Sequence, residues 1–591
     1  MMNTTKKLSS LLFAFVAIFA FQRCNEEEIK PAPTVVVTST LASNIPGGKV
    51  TAEITVDAPN GAKSLTIFVA GAEAEQKDIS TTDLATPIPY EYTIPANAVI
   101  GATVVISFQV TDNKDFPSAI ANFVITVGNP VITLQGNLTT QTLDAAKPYL
   151  LKGQVFIPTG VTLTVPAGTI IKGDKATKAA LIVQPGGKLI AIGTATSPIV
   201  FTSAQSVGER DRGDWGGIII LGNAFVNQAS KPAIEGINPS QNYGSTVAES
   251  ATPATNATEN SGTLKYVRIE YAGVELTPNN ETNSLTMGGV GNGTTIEFVQ
   301  ASFGGDDAFE WFGGTVNAKN LVSLSTWDDD FDTDFGWGGN VQFGLAVRNP
   351  FYADQSGSNA FESDNQANGN ALAGICDGTI TTGCTRGVFS NITVLGPRET
   401  NARAISANYQ NAVHIRRRTA ISIFNSFISG FRIGVRLDDQ GTLDNLNSGG
   451  LVLANNVLSV PGAVLKGAST TAAEAAYATG LSAGDAAAVE TYWTSNANTT
   501  LNNITTTAPL VDAGVIASLF WAANTSANYP SNPNFALVAG VASNSNLNSG
   551  GVFTHAKLPA AFFTATTYRG AFGTTDWTDG WSEFQPLNKA Y

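Results

Sequence analysis

The sequence predicts an all-β chain: an N-terminal immunoglobulin-like β-sandwich, then a long right-handed parallel β-helix, a short helical segment and a C-terminal cap. Three observations predict it. Runs of three to five strand-forming residues recur between turns such as Pro166-Ala167-Gly168 and Pro185-Gly186-Gly187. The composition, with 58 Gly and only 14% charged residues, suits short strands and tight turns better than a helical bundle. Two acidic-aromatic segments, Gly304 to Gly314 and Trp327 to Gly339, repeat at an offset of 22 residues, Asp306 with Asp328 and Phe309 with Phe331. That offset fits one turn of a parallel solenoid. At 591 residues the chain is also too long for one ordinary core.

Taken in order, residues 1–23 read as an export signal. Lys6 and Lys7 precede an apolar stretch, Leu11 to Phe21, that is too short to span a bilayer comfortably. Cys24 follows, and the arrangement resembles a bacterial lipoprotein signal in which Cys24 becomes the lipidated N-terminus. A plain secretory signal is the alternative. Residues 1–23 hold three cations and no acids, so cleavage would take the net charge from −14 to −17 (−14 − 3). Charge of that sign argues against nucleic acid as a partner. Residues 24–33, with Glu26-Glu27-Glu28, Pro31 and Pro33, form a tether.

Residues 34–129 carry alternating runs such as Val50 to Val56 and Thr103 to Val110, the pattern of a sandwich of short strands. The β-helix is placed at 130–465, with 227–262 as an inserted loop. A helical stretch from Ala472 to Trp493 breaks near Gly480 and restarts at the N-cap Ser482. With the aromatic-rich tail it makes up a capping region, 466–591, expected to pack on the last turns. Cys376 and Cys384 close a short loop and can form a disulfide in an oxidising compartment. With only His414 and His555 in the chain, a histidine-based zinc site or triad is nearly excluded.

Five segments look familiar: Gly213 to Ala224, Leu264 to Gly273, Asp306 to Gly314, Asp328 to Asp334 and Tyr568 to Phe572. Together they resemble a group of large β-helix lipoproteins of Bacteroidetes, over roughly residues 130–591. The resemblance implies a pectate-lyase-like helix on a lipid-anchored outer-membrane protein; the acidic run Asn25 to Glu28 resembles the surface-export tag of such lipoproteins, a solvated tether start being the alternative. Genes of this group often lie beside TonB-dependent receptors, which implies an accessory role with such a receptor or a surface glycan as partner. It supplies no catalytic residues to carry over.

The acidic repeat is the first candidate site. If 327–337 is extended, Asp328, Asp330, Asp332 and Asp334 share one face, and Trp327, Asp329, Phe331, Phe335 and Trp337 the other. One turn earlier Asp306 and Glu310 share a face, with Asp307 beside Phe309 and Trp311. Carboxylates stacked at ~4.8 Å repel by ~1 kcal/mol per pair in water and ~3–4 kcal/mol at an effective dielectric of 20. Asp306, Glu310, Asp328, Asp330, Asp332 and Asp334 are therefore the expected metal ligands. Their hard oxygens suit Ca²⁺, a solvated acidic face being the alternative. An EF-hand is excluded, because Gly336 comes one place late and Val341 stands where the closing Glu belongs. The second candidate is basic: Arg398, Arg403, His414, Arg416, Arg417, Arg418, Arg432 and Arg436. Of these, Arg416, Arg418, Arg432 and Arg436 could receive an anionic ligand, or could pair with Asp438 and Asp439. The function expected is non-catalytic binding of a glycan, nutrient or receptor. A Ca²⁺-dependent polysaccharide lyase with an arginine base is the enzymatic alternative, and a structural or adhesive surface protein the third.

Overall fold

A computed structural model describes residues 30–80, 84, 86–247, 249, 256–277, 280–365, 383–398, 402–468, 481–496, 501–506, 529–537 and 546–591. Cys24 and Cys376 lie outside these residues. The chain divides into two compact units, residues up to Pro130 and Val131–Tyr591.

The first unit is a two-sheet sandwich. One sheet pairs Lys49–Asp57 with Thr34–Leu41 and Ile88–Thr93, and the other has five strands centred on Thr103–Asp112 and Ala62–Val69. Alternation explains the packing: Val50, Ala52 and Ile54 face inward from one sheet and meet Leu65, Ile67, Ile106 and Phe108 from the other.

The second unit is a parallel β-helix whose 26 strands form one continuous hydrogen-bonded system. One inward column shows why the sequence winds this way. Val155, Leu181, Ile218, Leu285, Phe309, Phe331, Phe361, Val413, Val435 and Leu465 pair in register, turn upon turn. Each is buried, and complete burial of such a side chain is worth ~1.5–3 kcal/mol. Phe309 and Phe331 stack at 6.0 Å, which realises the 22-residue offset as a ladder step. Trp215, Trp311 and Trp337 are fully buried, whereas Trp327 is only partly so and carries the Arg212 guanidinium 3.6 Å from its ring centroid.

The helix Ala483–Asn496 begins as expected: Ser482 Oγ accepts from the Asp485 amide at 3.1 Å. It packs on Leu465–Ala468, the last strand of its ladder among the described residues. A second helix, Gln440–Ser448, is capped by Asp439 and closed by Gly449 at φ 78°. The tail does more than cap the last turns. It runs back along one side of the helix, from Asn455, which accepts from Arg569 at 2.7 Å, to Lys172, which donates to the Tyr591 carbonyl at 3.0 Å.

Candidate functional site: an acidic cleft on the β-helix

The outward column next to the core column changes chemistry along its length. It reads Phe156, Ile182, Ile219, Thr286, Glu310, Asp332, Glu362, His414, Arg436 and Lys466, each pair in strand register. The apolar start is covered by Val226 and, from the inserted loop, by Ile234, Ile237 and Tyr243. The same loop brings Glu235 to the rim of the acidic stretch. There a cleft of about 280 Å³ opens, lined by eight carboxylates: Glu235, Asp306, Asp307, Glu310, Asp328, Asp329, Asp332 and Glu362. His414 and Arg416 close it on the basic side.

Asp307 and Asp329 reach the cleft because they sit in a turn rather than a strand. Strands begin at Phe309 and Phe331, and the turns before them follow left-handed residues, Phe303 at φ 54° and Ser325 at φ 55°. In these turns a side-chain ladder links successive coils. Asn283 Oδ1 accepts from the Asp307 amide at 3.1 Å, Asp307 Oδ1 from the Asp329 amide at 2.7 Å, and Asp329 Oδ1 from the Asn359 amide at 2.5 Å. Asn359 Oδ1 then accepts from the Asn411 amide at 3.1 Å. Every rung needs an acceptor, and an amide oxygen serves at 283 and 359. The charges of Asp307 and Asp329 are therefore surplus to the ladder.

Two sets of carboxylate oxygens converge: one from Asp306, Asp307 and Asp328, the other from Asp307, Glu310 and Asp332. Within each set all oxygens lie inside 4.8 Å. Oxygens around one Ca²⁺, each at ~2.3–2.6 Å, are no more than ~5 Å apart, so each set has the span of a cation site. Asp328 Oδ1 and Asp332 Oδ1 are sealed from solvent and lack any hydrogen-bond partner. Burial, and then the neighbouring carboxylates, pushes Asp306, Asp307, Glu310, Asp329, Asp332 and Asp334 well above the usual carboxylate range. Asp328 is pushed up to about 7, by burial and then Glu362. Glu362 goes the other way, to about 2, because Arg416 and His414 outweigh its burial.

Asp306, Glu310, Asp328 and Asp332 thus come together as expected, and Glu235, Asp307, Asp329 and Glu362 join them. Asp330 does not. It points away from the cleft into a fully buried ion pair with Arg348 at 3.2 Å, and Ser323 Oγ donates to the same oxygen at 2.5 Å. Period-two alternation fails for it because residue 330 still belongs to the turn. Asp334 does continue the outward face, but it lies past the cleft, facing Asp364, with Arg417 and Arg416 nearby.

The basic patch is likewise divided. Arg416 lines the cleft, but its Nε and Nη2 donate to Asp364 at 2.7 and 3.0 Å, and Nη2 also donates to Glu362. Burial opposes its charge, yet Asp364 and Glu362 hold the guanidinium well above even its ordinary range. Arg436 is paired with Asp438 at 2.9 Å. The Arg418 amide donates to Asp439 Oδ2 and Thr442 Oγ1, and Arg432 is exposed away from the cleft. Arg416, Arg417 and Arg436 are thus ion-paired, whereas Arg432 is exposed. His414 Nε2 lies 2.9 Å from Asp438, and Nδ1 is 3.6 Å from Glu362. Burial lowers its pKa, but these two acids raise it further, so the net shift is upward. Cys384 is disulfide-bonded, and Cys376, its expected partner, lies outside the described residues.

Among solved structures, a family 28 exopolygalacturonase of Yersinia enterocolitica is similar at 10% identity, covering 69% of this chain and 94% of that one, with a TM-score of 0.15. Pectate lyase Pel3 of Pectobacterium carotovorum is similar at 9% identity over 69% of this chain and 85% of that one, with a TM-score of 0.11. Fibronectin(III)-like modules of Clostridium thermocellum CbhA are similar at 20% identity, with a TM-score of 0.14. That match covers 17% of this chain, which spans about half (49%) of the length of those modules. No curated protein matches the chain. The pectate-lyase-like β-helix domain matches residues 136–505, more than half of the sequence, and the chain belongs to that family.

Proposed function

We propose that this protein is a non-catalytic binding protein whose β-helix holds Ca²⁺ in the acidic cleft and presents the loaded face to an acidic glycan. The observation that carries the reading is the convergence of eight carboxylates on one cleft beside a single arginine and histidine. At a separation of 4 Å and an effective dielectric of 20, each like-charge pair costs ~4 kcal/mol, and a hard divalent cation offsets several pairs at once. Once the cation is bound, its open coordination positions can accept carboxylate or hydroxyl oxygens of a sugar chain. Membership of a pectate-lyase-like family points to the same ligand class, although fold alone is weak warrant for activity.

Binding ranks ahead of a lyase reaction because the one arginine among the described residues lining the cleft is committed. Arg416 is clamped by Asp364 and Glu362 and stays protonated, so it cannot take a proton from a sugar. The test is retention of the protein on immobilised polyuronates with Ca²⁺ and after chelation, with ultraviolet absorbance monitored for unsaturated product. Retention that depends on Ca²⁺, without product, is expected. Retention indifferent to Ca²⁺, or none on any acidic polysaccharide, would overturn the reading, and accumulating product would replace it with the lyase.

The proposed setting is the outer-membrane surface, with Cys24 lipidated and a TonB-dependent receptor as partner. Loss of fatty-acid labelling in Cys24→Ala, and co-purification of a receptor with the native protein, are the expected results.

A further inference from the structure

We infer that the cleft holds two divalent cations, one in the Asp306–Asp307–Asp328 set and one in the Asp307–Glu310–Asp332 set, bridged by the Asp307 carboxylate. This rests on the reading of the cleft as a cation site and goes further, fixing how many ions it takes and which residue couples them.

Geometry separates the two positions. Asp306 and Asp328 stand in the turns before their strands, whereas Glu310 and Asp332 stand on the strands themselves and are direct ladder partners. The oxygens satisfy the 4.8 Å span as two sets that share Asp307, not as one set of five residues. Each set also contains a residue with one orphan oxygen sealed from solvent: Asp328 Oδ1 in the first, whose partner Oδ2 accepts from Ser356 Oγ at 2.9 Å, and Asp332 Oδ1 in the second. A lone ion in either set would leave the orphan oxygen of the other set without a partner, which is unfavourable for a buried polar atom.

With all eight carboxylates ionised, charge leaves room for a second ion. Eight carboxylates face Arg416 and His414, a formal balance of −7, or −6 with His414 protonated. One Ca²⁺ leaves −5 or −4, and two leave −3 or −2. The cleft, at about 280 Å³, far exceeds the ~15 Å³ that one water needs, so both ions can keep water ligands. The ladder supplies the cleanest argument for Asp307. Its structural duty is to accept the Asp329 amide, which an asparagine performs at 283 and 359. A neutral side chain would keep that hydrogen bond, and what it would forfeit is charge.

The test is calorimetric titration of the metal-depleted full-length chain with Ca²⁺. Two ions per chain are expected. Asp328→Asn and Asp332→Asn should each reduce the count to one. Asp307→Asn should keep the native circular dichroism spectrum and weaken both sites at least 100-fold. A native count of one overturns the bridged pair and leaves single-cation glycan binding standing, whereas a count of zero takes down both. Native affinity retained at either site in Asp307→Asn also overturns it. If Asp307→Asn does not fold, the other two variants decide: a count of two, or zero, in either is incompatible with one ion per set.

Discussion

Asp330 and Arg348 show how a single side chain's direction sets its role. Both are fully buried, joined at 3.2 Å, and the guanidinium carbon lies 5.2 Å from the Tyr409 ring centroid. Removing one member of such a pair leaves a buried charge uncompensated, which costs ~3–5 kcal/mol. Asp330→Ala should therefore lower unfolding stability by about that much in urea denaturation, with its Ca²⁺ count unchanged. An unaltered denaturation midpoint would show that the pair is not the support described. The composition of this run was legible in the sequence, but the direction of each residue was not. Asp328, Asp330 and Asp332 are chemically alike and evenly spaced. What separates them is the left-handed Ser325 and a strand that starts only at Phe331, and nothing in the local residue pattern announces either. The same turns carry Asp307 and Asp329 off the aromatic face that alternation predicts for them.

Among elements, the most regular device is a corner at which one coil after another turns through a left-handed residue. Tyr266, Phe298, Asn320, Phe343, Asn391, Asn425, Asn455 and Asn502 all have φ between 49° and 64°. Asparagine tolerates this conformation better than most side chains, and here its amide also ties down the tail. Asn391 Nδ2 donates to Thr566 Oγ1 at 3.0 Å and to the Gly570 carbonyl at 3.1 Å, while Asn391 Oδ1 accepts from Gln342 at 3.1 Å. Asn391→Ala combines a left-handed alanine, ~1–2 kcal/mol, with stranded buried partners, ~1–3 kcal/mol. A loss of about 2–5 kcal/mol in urea denaturation is expected, with Asn391→Gly intermediate because it removes only the backbone strain. Equal losses in the two variants would place the whole cost in the hydrogen bonds. Strands and their stacking were readable at this scale because period-two alternation and Gly-rich turns are local signals. The helix Gln440–Ser448 was not, since only Leu443 and Leu446 mark its buried side and Gly441 weakens its helical propensity. The tail's course past the last turns depends on partners such as Lys172, which is 419 residues away in sequence from the Tyr591 carbonyl it binds.

At the scale of the whole molecule, the acidic cleft makes stability depend jointly on pH and Ca²⁺, and the signs can be worked out. Asp306, Asp307, Glu310, Asp329 and Asp332 have folded-state pKa values raised well above those of an unfolded chain, and Asp328 is pushed up to about 7. The metal-free folded protein therefore holds protons that the unfolded chain releases near pH 4. That contribution is complete below the unfolded values and is lost as pH rises, through about 7 for Asp328, so the metal-free protein should be less stable at pH 8 than at pH 5.5. Glu362 has the opposite sign, but its stabilisation is lost only as pH falls from its unfolded value towards about 2, outside this window. Ca²⁺ competes with the protons for the same oxygens, so it should bind the folded cleft more tightly at pH 8. Saturation at 100 times Kd adds ~2.7 kcal/mol, and the rise in unfolding temperature on adding Ca²⁺ should be larger at pH 8 than at pH 5.5. Thermal denaturation of dialysed protein at both pH values, with and without Ca²⁺, measures all four states. An equal rise at both pH values would mean that the ion stabilises the fold somewhere other than on these carboxylates.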